Sequence, residues 1–166
     1  MKKILFALFM ARPVAALADS AMFGMAENQI HASFVDIGGA SQIFVHYSQP
    51  NRFFRLQGRR NISFVGMRGE NYDRPVNQTA VGITQDVAVF GTDSFYAGAG
   101  IGPYLKLARY PDSPIGGSVM FGSRFFTGYR CGRFGAELVL QHFSNGSLAL
   151  PNLPFNGAGV GINYNF

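Results

Sequence analysis

In several segments of the chain, apolar and polar positions alternate with a period of two, the spacing of a strand with one apolar face. In 94–108, Phe95, Ala97, Ala99, Ile101, Leu105 and Leu107 share one face, opposite Tyr96, Gly98, Gly100, Gly102, Tyr104 and Lys106. In 118–130, Val119, Phe121, Phe125 and Tyr129 oppose Gly122, Arg124, Gly128 and Arg130; in 80–90, Val81, Ile83, Val87 and Val89 oppose Thr84 and Asp86. The pattern predicts strands over 29–48 (interrupted near Gly38-Gly39), 52–58, 60–69, 78–90, 94–108, 116–129, 133–144 and 155–166. No long segment has a helical period, and no apolar stretch after residue 18 is long enough for a membrane helix.

Alternation alone also suits a soluble sandwich. Two features favour a membrane barrel. Strands of about ten residues recur, the length a tilted strand needs to cross a bilayer. The polar faces carry charges in mid-strand (Asp86, Arg124, Glu137), as expected for a small barrel filled by a polar network. The expected fold is all-β: an eight-stranded antiparallel transmembrane β-barrel of the outer membrane. In the last strand Ala158, Val160, Ile162, Tyr164 and the terminal Phe166 alternate with Gly157, Gly159, Gly161, Asn163 and Asn165. That ending resembles the sorting signal of outer-membrane barrels, which implies the barrel-assembly machinery as a partner.

Composition agrees: 21 Gly, 17 Phe and 7 Tyr accompany only 14% charged residues, a balance that favours extended, tightly turned chain. Lys2 and Lys3, the apolar run from Ile4 to Ala11, and Ala16-Leu17-Ala18 read as a signal peptide over 1–18, leaving a barrel domain over 19–166. Its removal takes away Lys2, Lys3 and Arg12, so eleven basic residues face nine acidic ones and the formal charge falls from +5 to +2. That excludes a nucleic-acid partner, which needs a dense basic face. Cys131 is the sole cysteine, so no intramolecular disulfide forms; it reads as a structural residue near a turn. The carboxylates lack metal-ligand spacing and no Cys/His cluster exists, so neither a metal nor a cofactor is expected. Gly98-x-Gly100-x-Gly102 lies inside a strand and opens no helix, which argues against a dinucleotide loop. His31 and His46 have no partnered motif and read as structural.

One pair breaks the pattern. Phe134, Ala136, Leu138 and Leu140 form the apolar face of 133–144, and the same parity carries His142 and Ser144 to the lipid side. An imidazole and a hydroxyl against acyl chains are costly unless they are paired or functional. Positions i and i+2 of a strand lie on one face about 7 Å apart at Cα. An imidazole at that distance can lean onto the hydroxyl and act as the base that makes serine a nucleophile. In an even-stranded barrel both termini are periplasmic, so loop 145–154 is extracellular and the pair sits at outer-leaflet depth.

The run His142-Phe143-Ser144-Asn145-Gly146, followed by Pro151-Asn152, resembles the C-terminal motif of the outer-membrane lipid A 3-O-deacylases, with specific residues matching over 134–166. The resemblance implies a barrel in the Gram-negative outer membrane that hydrolyses the 3-O-linked acyl chain of lipid A in lipopolysaccharide without a metal. It implies His142 as general base and Ser144 as nucleophile, with Asn145 and the backbone around Gly146 and Ser147 binding the oxyanion. The family's third residue, typically a Glu that orients the histidine, falls at Asn156. An amide oxygen can accept the imidazole N–H, but it lacks the charge that stabilises an imidazolium. Arg68, Arg74, Lys106 and Arg109 lie near the expected extracellular ends; Arg68, Lys106 and Arg109 are candidate contacts for lipid A phosphates, against the plainer reading of solvated loop charge. Two other functions stay open: a non-catalytic structural or adhesive barrel, and a lipid A acyltransferase using the same attack on an ester. A homodimer is also left open.

Overall fold

The computed structural model describes residues 27–36, 40–108, 110 and 112–166. The expected signal peptide lies outside the described residues. Eight strands follow one another: β1 (Gln29–Asp36), β2 (Ala40–Phe53), β3 (Leu56–Asn71), β4 (Arg74–Gly91), β5 (Phe95–Lys106), β6 (Val119–Cys131), β7 (Phe134–Ser144) and β8 (Phe155–Asn165). Each pairs antiparallel with the next, and β1 pairs with β8 from Gln29↔Asn165 to Val35↔Gly159, closing the sheet into a barrel. Closure removes every free edge, which is what allows a sheet to span a bilayer.

The first part of the chain differs from the expectation. The predicted strand 29–48 is two strands, joined as an antiparallel pair through Asp36↔Ser41. The predicted strand 52–58 is a hairpin, in which Phe54 and Arg55 turn the chain between β2 and β3. The number eight survives because these two differences offset each other. Phe54 and Arg55 adopt positive φ of 47° and 69°, and Tyr72 and Asp73 do the same at the β3–β4 turn. Two-residue hairpins require such angles, normally met by Gly or Asn. Phe-Arg therefore carried no local turn signal.

The outer wall is apolar. Ile83, Ile101, Phe125, Leu138 and Ile162 are each more than half exposed. A continuous belt of this kind is an aggregation hazard in water and is solvated by acyl chains in a membrane. At the end bearing the C-terminus, Phe134 packs on Tyr164 and Tyr164 stacks on Phe166, which also meets the Tyr47 ring. The Phe166 N–H donates to the Asn28 carbonyl at 3.0 Å, tying the C-terminus to the start of β1.

Inside, the two halves differ. Toward the terminal end, Arg59 Nε donates to Asp86 Oδ2 at 2.7 Å and Arg59 Nη1 contacts Glu137 Oε1 at 2.8 Å. Arg124 also pairs with Asp86, and the Tyr96 hydroxyl donates to Glu137 Oε1 at 2.8 Å. Opposite Asp86 stands Gly100, where a Cβ would collide with the carboxylate; only glycine leaves room for it. The histidines left as structural belong to this interior: His46 Nδ1 lies 2.7 Å from Ser63 Oγ, and His31 faces Glu137. The half toward the far end holds an apolar cluster of Phe44, Met67, Tyr104, Ile115, Met120 and Phe143, beside the buried side chains of Gln42, Gln78 and Lys106. The charged network expected of the interior, with Asp86, Arg124 and Glu137, thus lies toward the terminal end. Cys131 is an exposed free thiol at the end of β6.

Two buried guanidinium groups share Asp86, so Asp86→Ala leaves both without their carboxylate. Breaking a buried pair by removing one partner costs about 3–5 kcal/mol. A matching drop in stability of the detergent-folded barrel, read from urea unfolding, is expected, while Asp36→Ala, on an exposed position, leaves stability unchanged. Equal midpoints for Asp86→Ala and the parent would contradict the network's role.

Candidate functional site

β7 brings the site to the far rim. Phe143 points inward, stacks on Phe44 with centroids 5.8 Å apart and meets Tyr104 edge-on at 5.0 Å. Because side chains alternate across a strand, seating Phe143 in the core turns His142 and Ser144 outward on either side of it. Both are partly exposed on the outer wall. In register, His142 lies between Ser123 of β6 and Asn156 of β8, and Ser144 lies opposite Phe121.

His142 Nδ1 is 2.7 Å from Asn156 Oδ1. An amide oxygen only accepts, so this bond puts the proton on Nδ1 and leaves Nε2 with a free lone pair. The tautomer is therefore the one a general base needs. The Ser144 hydroxyl makes no hydrogen bond among the described residues, so it is uncommitted. His142 and Asn156 open on a groove in the outer wall lined by Ser123, Phe125, Leu140 and Ala158. The groove continues toward the terminal end past Thr127, Leu138 and Gly159, so an apolar chain can lie along it from the polar pair.

The loop after β7 is built on Asn145, which is fully buried. Its side-chain nitrogen donates to the carbonyls of Ala149 at 2.7 Å, Gly116 at 3.0 Å and Pro151 at 3.3 Å. Its Oδ1 accepts from the Ser147 N–H at 2.9 Å, and its own N–H donates to Asn152 Oδ1 at 2.8 Å. Leu148 N–H reaches the Asn145 carbonyl at 3.2 Å, and Gly146 and Ser147 both have φ of +62°. These are the φ signs of a type I′ turn, which glycine adopts freely and serine only when surroundings hold it there.

The three expected oxyanion residues therefore differ in what they can offer. The Asn145 amide and the Ser147 N–H are bonded within the loop, whereas the Gly146 N–H has no partner among the described residues. The candidate phosphate contacts are not gathered at the site. Arg68 stands on the outer face of β3, four strands from β7 by either route and so on the opposite wall. Lys106 turns inward, is nearly buried, and donates through Nζ to the Ile115 carbonyl. Arg109 lies outside the described residues. Sequence reasoning did not single out Ser123, which lines the groove, or Asn152 as the residue that holds Asn145. Asn152 stands in the quoted motif, so its position was visible though its bond was not.

Compared with known proteins, the chain matches the family described as Lipid A 3-O-deacylase (PagL) over residues 30–165. No curated protein matches it. Among solved structures, the crystal structure of the outer membrane enzyme PagL is similar, with a TM-score of 0.66 at 18% identity over 83% of this chain and 99% of that one. At that identity the likeness speaks for the fold, an eight-stranded outer-membrane barrel.

Proposed function

The chain belongs to the lipid A 3-O-deacylase family, and on that premise we propose that it hydrolyses the 3-O-acyl ester of lipid A with a serine site on its lipid-facing wall. The observation that carries this is the 2.7 Å bond from His142 Nδ1 to Asn156 Oδ1, which lines an apolar groove and stands two residues from an uncommitted serine. His142 Nε2 takes the proton of Ser144 as Oγ attacks the ester carbonyl. The tetrahedral intermediate collapses, the C–O bond to the sugar breaks, and His142 returns its proton to the departing 3-hydroxyl. Water then attacks the acyl-serine with His142 again as base, which releases the fatty acid and restores Ser144.

The Gly146 N–H is the oxyanion donor on this reading, while Asn145 and Ser147 hold the turn that aims it. Asn156 keeps His142 in the right tautomer. The groove past Phe125 and Leu140 takes the acyl chain. The far end of the barrel faces outward, placing the ester-bearing leaflet of lipopolysaccharide at the depth of His142.

Hydrolysis is tested by incubating the detergent-folded protein with lipid A in ¹⁸O-enriched water. The released 3-hydroxy acid is expected to carry one ¹⁸O, since the acyl-serine is opened by water. Acyl groups recovered on another lipid, with no labelled acid, would make the protein an acyltransferase.

A further inference from the structure

The connection between β5 and β6 lies against the catalytic loop. Gly116 N–H donates to the Pro151 carbonyl at 2.6 Å, and Leu153 N–H donates to the Pro114 carbonyl at 2.9 Å. Ile115 and Asn152 form the antiparallel bridge between them. Asn145 Nδ2 closes the same strip through the Gly116 carbonyl at 3.0 Å. Gly116 has no room for a side chain, because a Cβ would meet the Leu150 carbonyl. The segment thus touches the residue next to Ser144 and the residue that holds it.

What anchors the segment is the Ile115 peptide. Its side chain is buried in the cluster with Tyr104 and Phe143. Its carbonyl accepts from Lys106 Nζ and from Ser113 Oγ, the latter at 3.0 Å. Lys106 has no carboxylate partner among the described residues. Its ammonium therefore has this loop carbonyl as its side-chain partner.

We propose that residues 113–118 are a strap that positions the catalytic loop, and that Lys106 is a positioning residue that fixes the strap through the Ile115 carbonyl without touching substrate. The inference rests on the deacylase reading for its effect on rate, and on the bond pattern alone for the strap. The path from lysine to nucleophile is short: Lys106 to the Ile115 carbonyl, Ile115 to Asn152 across the bridge, Asn152 Oδ1 to the Asn145 N–H, and the next residue back is Ser144. A small misplacement of a nucleophile is enough to cost a large factor in rate.

Lys106→Met removes the donor at similar length; Lys106→Arg keeps donors and charge. Both are compared with the parent as folded barrels on phosphorylated and dephosphorylated lipid A, together with amide exchange at Gly116 and Leu153. In Lys106→Met, kcat is expected to fall about 10-fold or more on both substrates with KM within a factor of about three. Exchange at Leu153 is expected to speed by about 10-fold while the strands stay protected. Lys106→Arg is expected to recover most of the kcat. A rise in KM confined to the phosphorylated substrate, with kcat unchanged, would overturn the strap and make Lys106 a headgroup ligand. Unchanged exchange at Leu153 would overturn it whatever the activity. If the parent deacylates neither substrate yet exchange speeds as expected, the strap stands and the deacylase reading falls.

Discussion

Ser144→Ala is expected to lower 3-O-acyl release by on the order of 10³-fold or more while leaving the barrel folded. Ser144 points out of the core and its hydroxyl makes no bond among the described residues, so its loss opens no cavity and strands no partner. The cost is therefore expected to fall on chemistry, through loss of the hydroxyl that attacks the ester. His142→Ala is expected to cost about as much, since the hydroxyl is a poor nucleophile without its base. The double variant should be no slower than the worse single one, because either loss disables the same unit. Initial rates in matched detergent, with heat-modifiable gel mobility as the folding control, decide this. Additive losses, or a Ser144→Ala variant at the parental rate, would remove the pair from the mechanism.

Asn156 carries the second large effect. Its Oδ1 is the acceptor that fixes the His142 tautomer. With Asn156→Leu, Nδ1 has no such partner, the imidazole can take the other tautomer, and the ring can turn away from Ser144. Loss of an orienting group of this kind in a serine triad costs up to about 10⁴-fold, and a neutral orienter should cost less, on the order of 10³-fold. Asn156→Glu keeps an acceptor at the same reach and adds a negative charge beside the imidazolium formed as Ser144 attacks. It is expected to equal or exceed the parent. Rates for the parent and both variants separate this from a plain strand-starting role. A leucine at 156 with the parental rate would reduce the site to Ser144 and His142.

How far the sequence carried depends on whether a feature is written in one strand or between loops. Strands β4 to β8 were legible because their outward residues repeat at every second position, as in Ile101, Leu105, Phe125, Leu138 and Ile162. The same parity turned His142 and Ser144 outward without any knowledge of the fold, while Asn156 was reached through the family resemblance. The hairpin at Phe54 and Arg55 was not legible, because its positive φ angles are imposed by strand pairing on residues that do not favour them. The part played by Asn145 was also hidden. A buried amide that bonds Gly116, Ala149 and Pro151 looks, in sequence, like one free to meet a substrate. Arg68 illustrates the remaining limit: height on a strand can be read from parity and turns, but position around the barrel depends on closure.

The most direct test of the account is mass spectrometry of lipid A from Gram-negative cells that express the chain, beside cells expressing Ser144→Ala at equal level. Cells with the parent are expected to carry lipid A lighter by one 3-hydroxyacyl group, lost from the 3-position, and cells with Ser144→Ala unaltered lipid A. Identical lipid A in both, with each protein folded in the outer membrane, would contradict it.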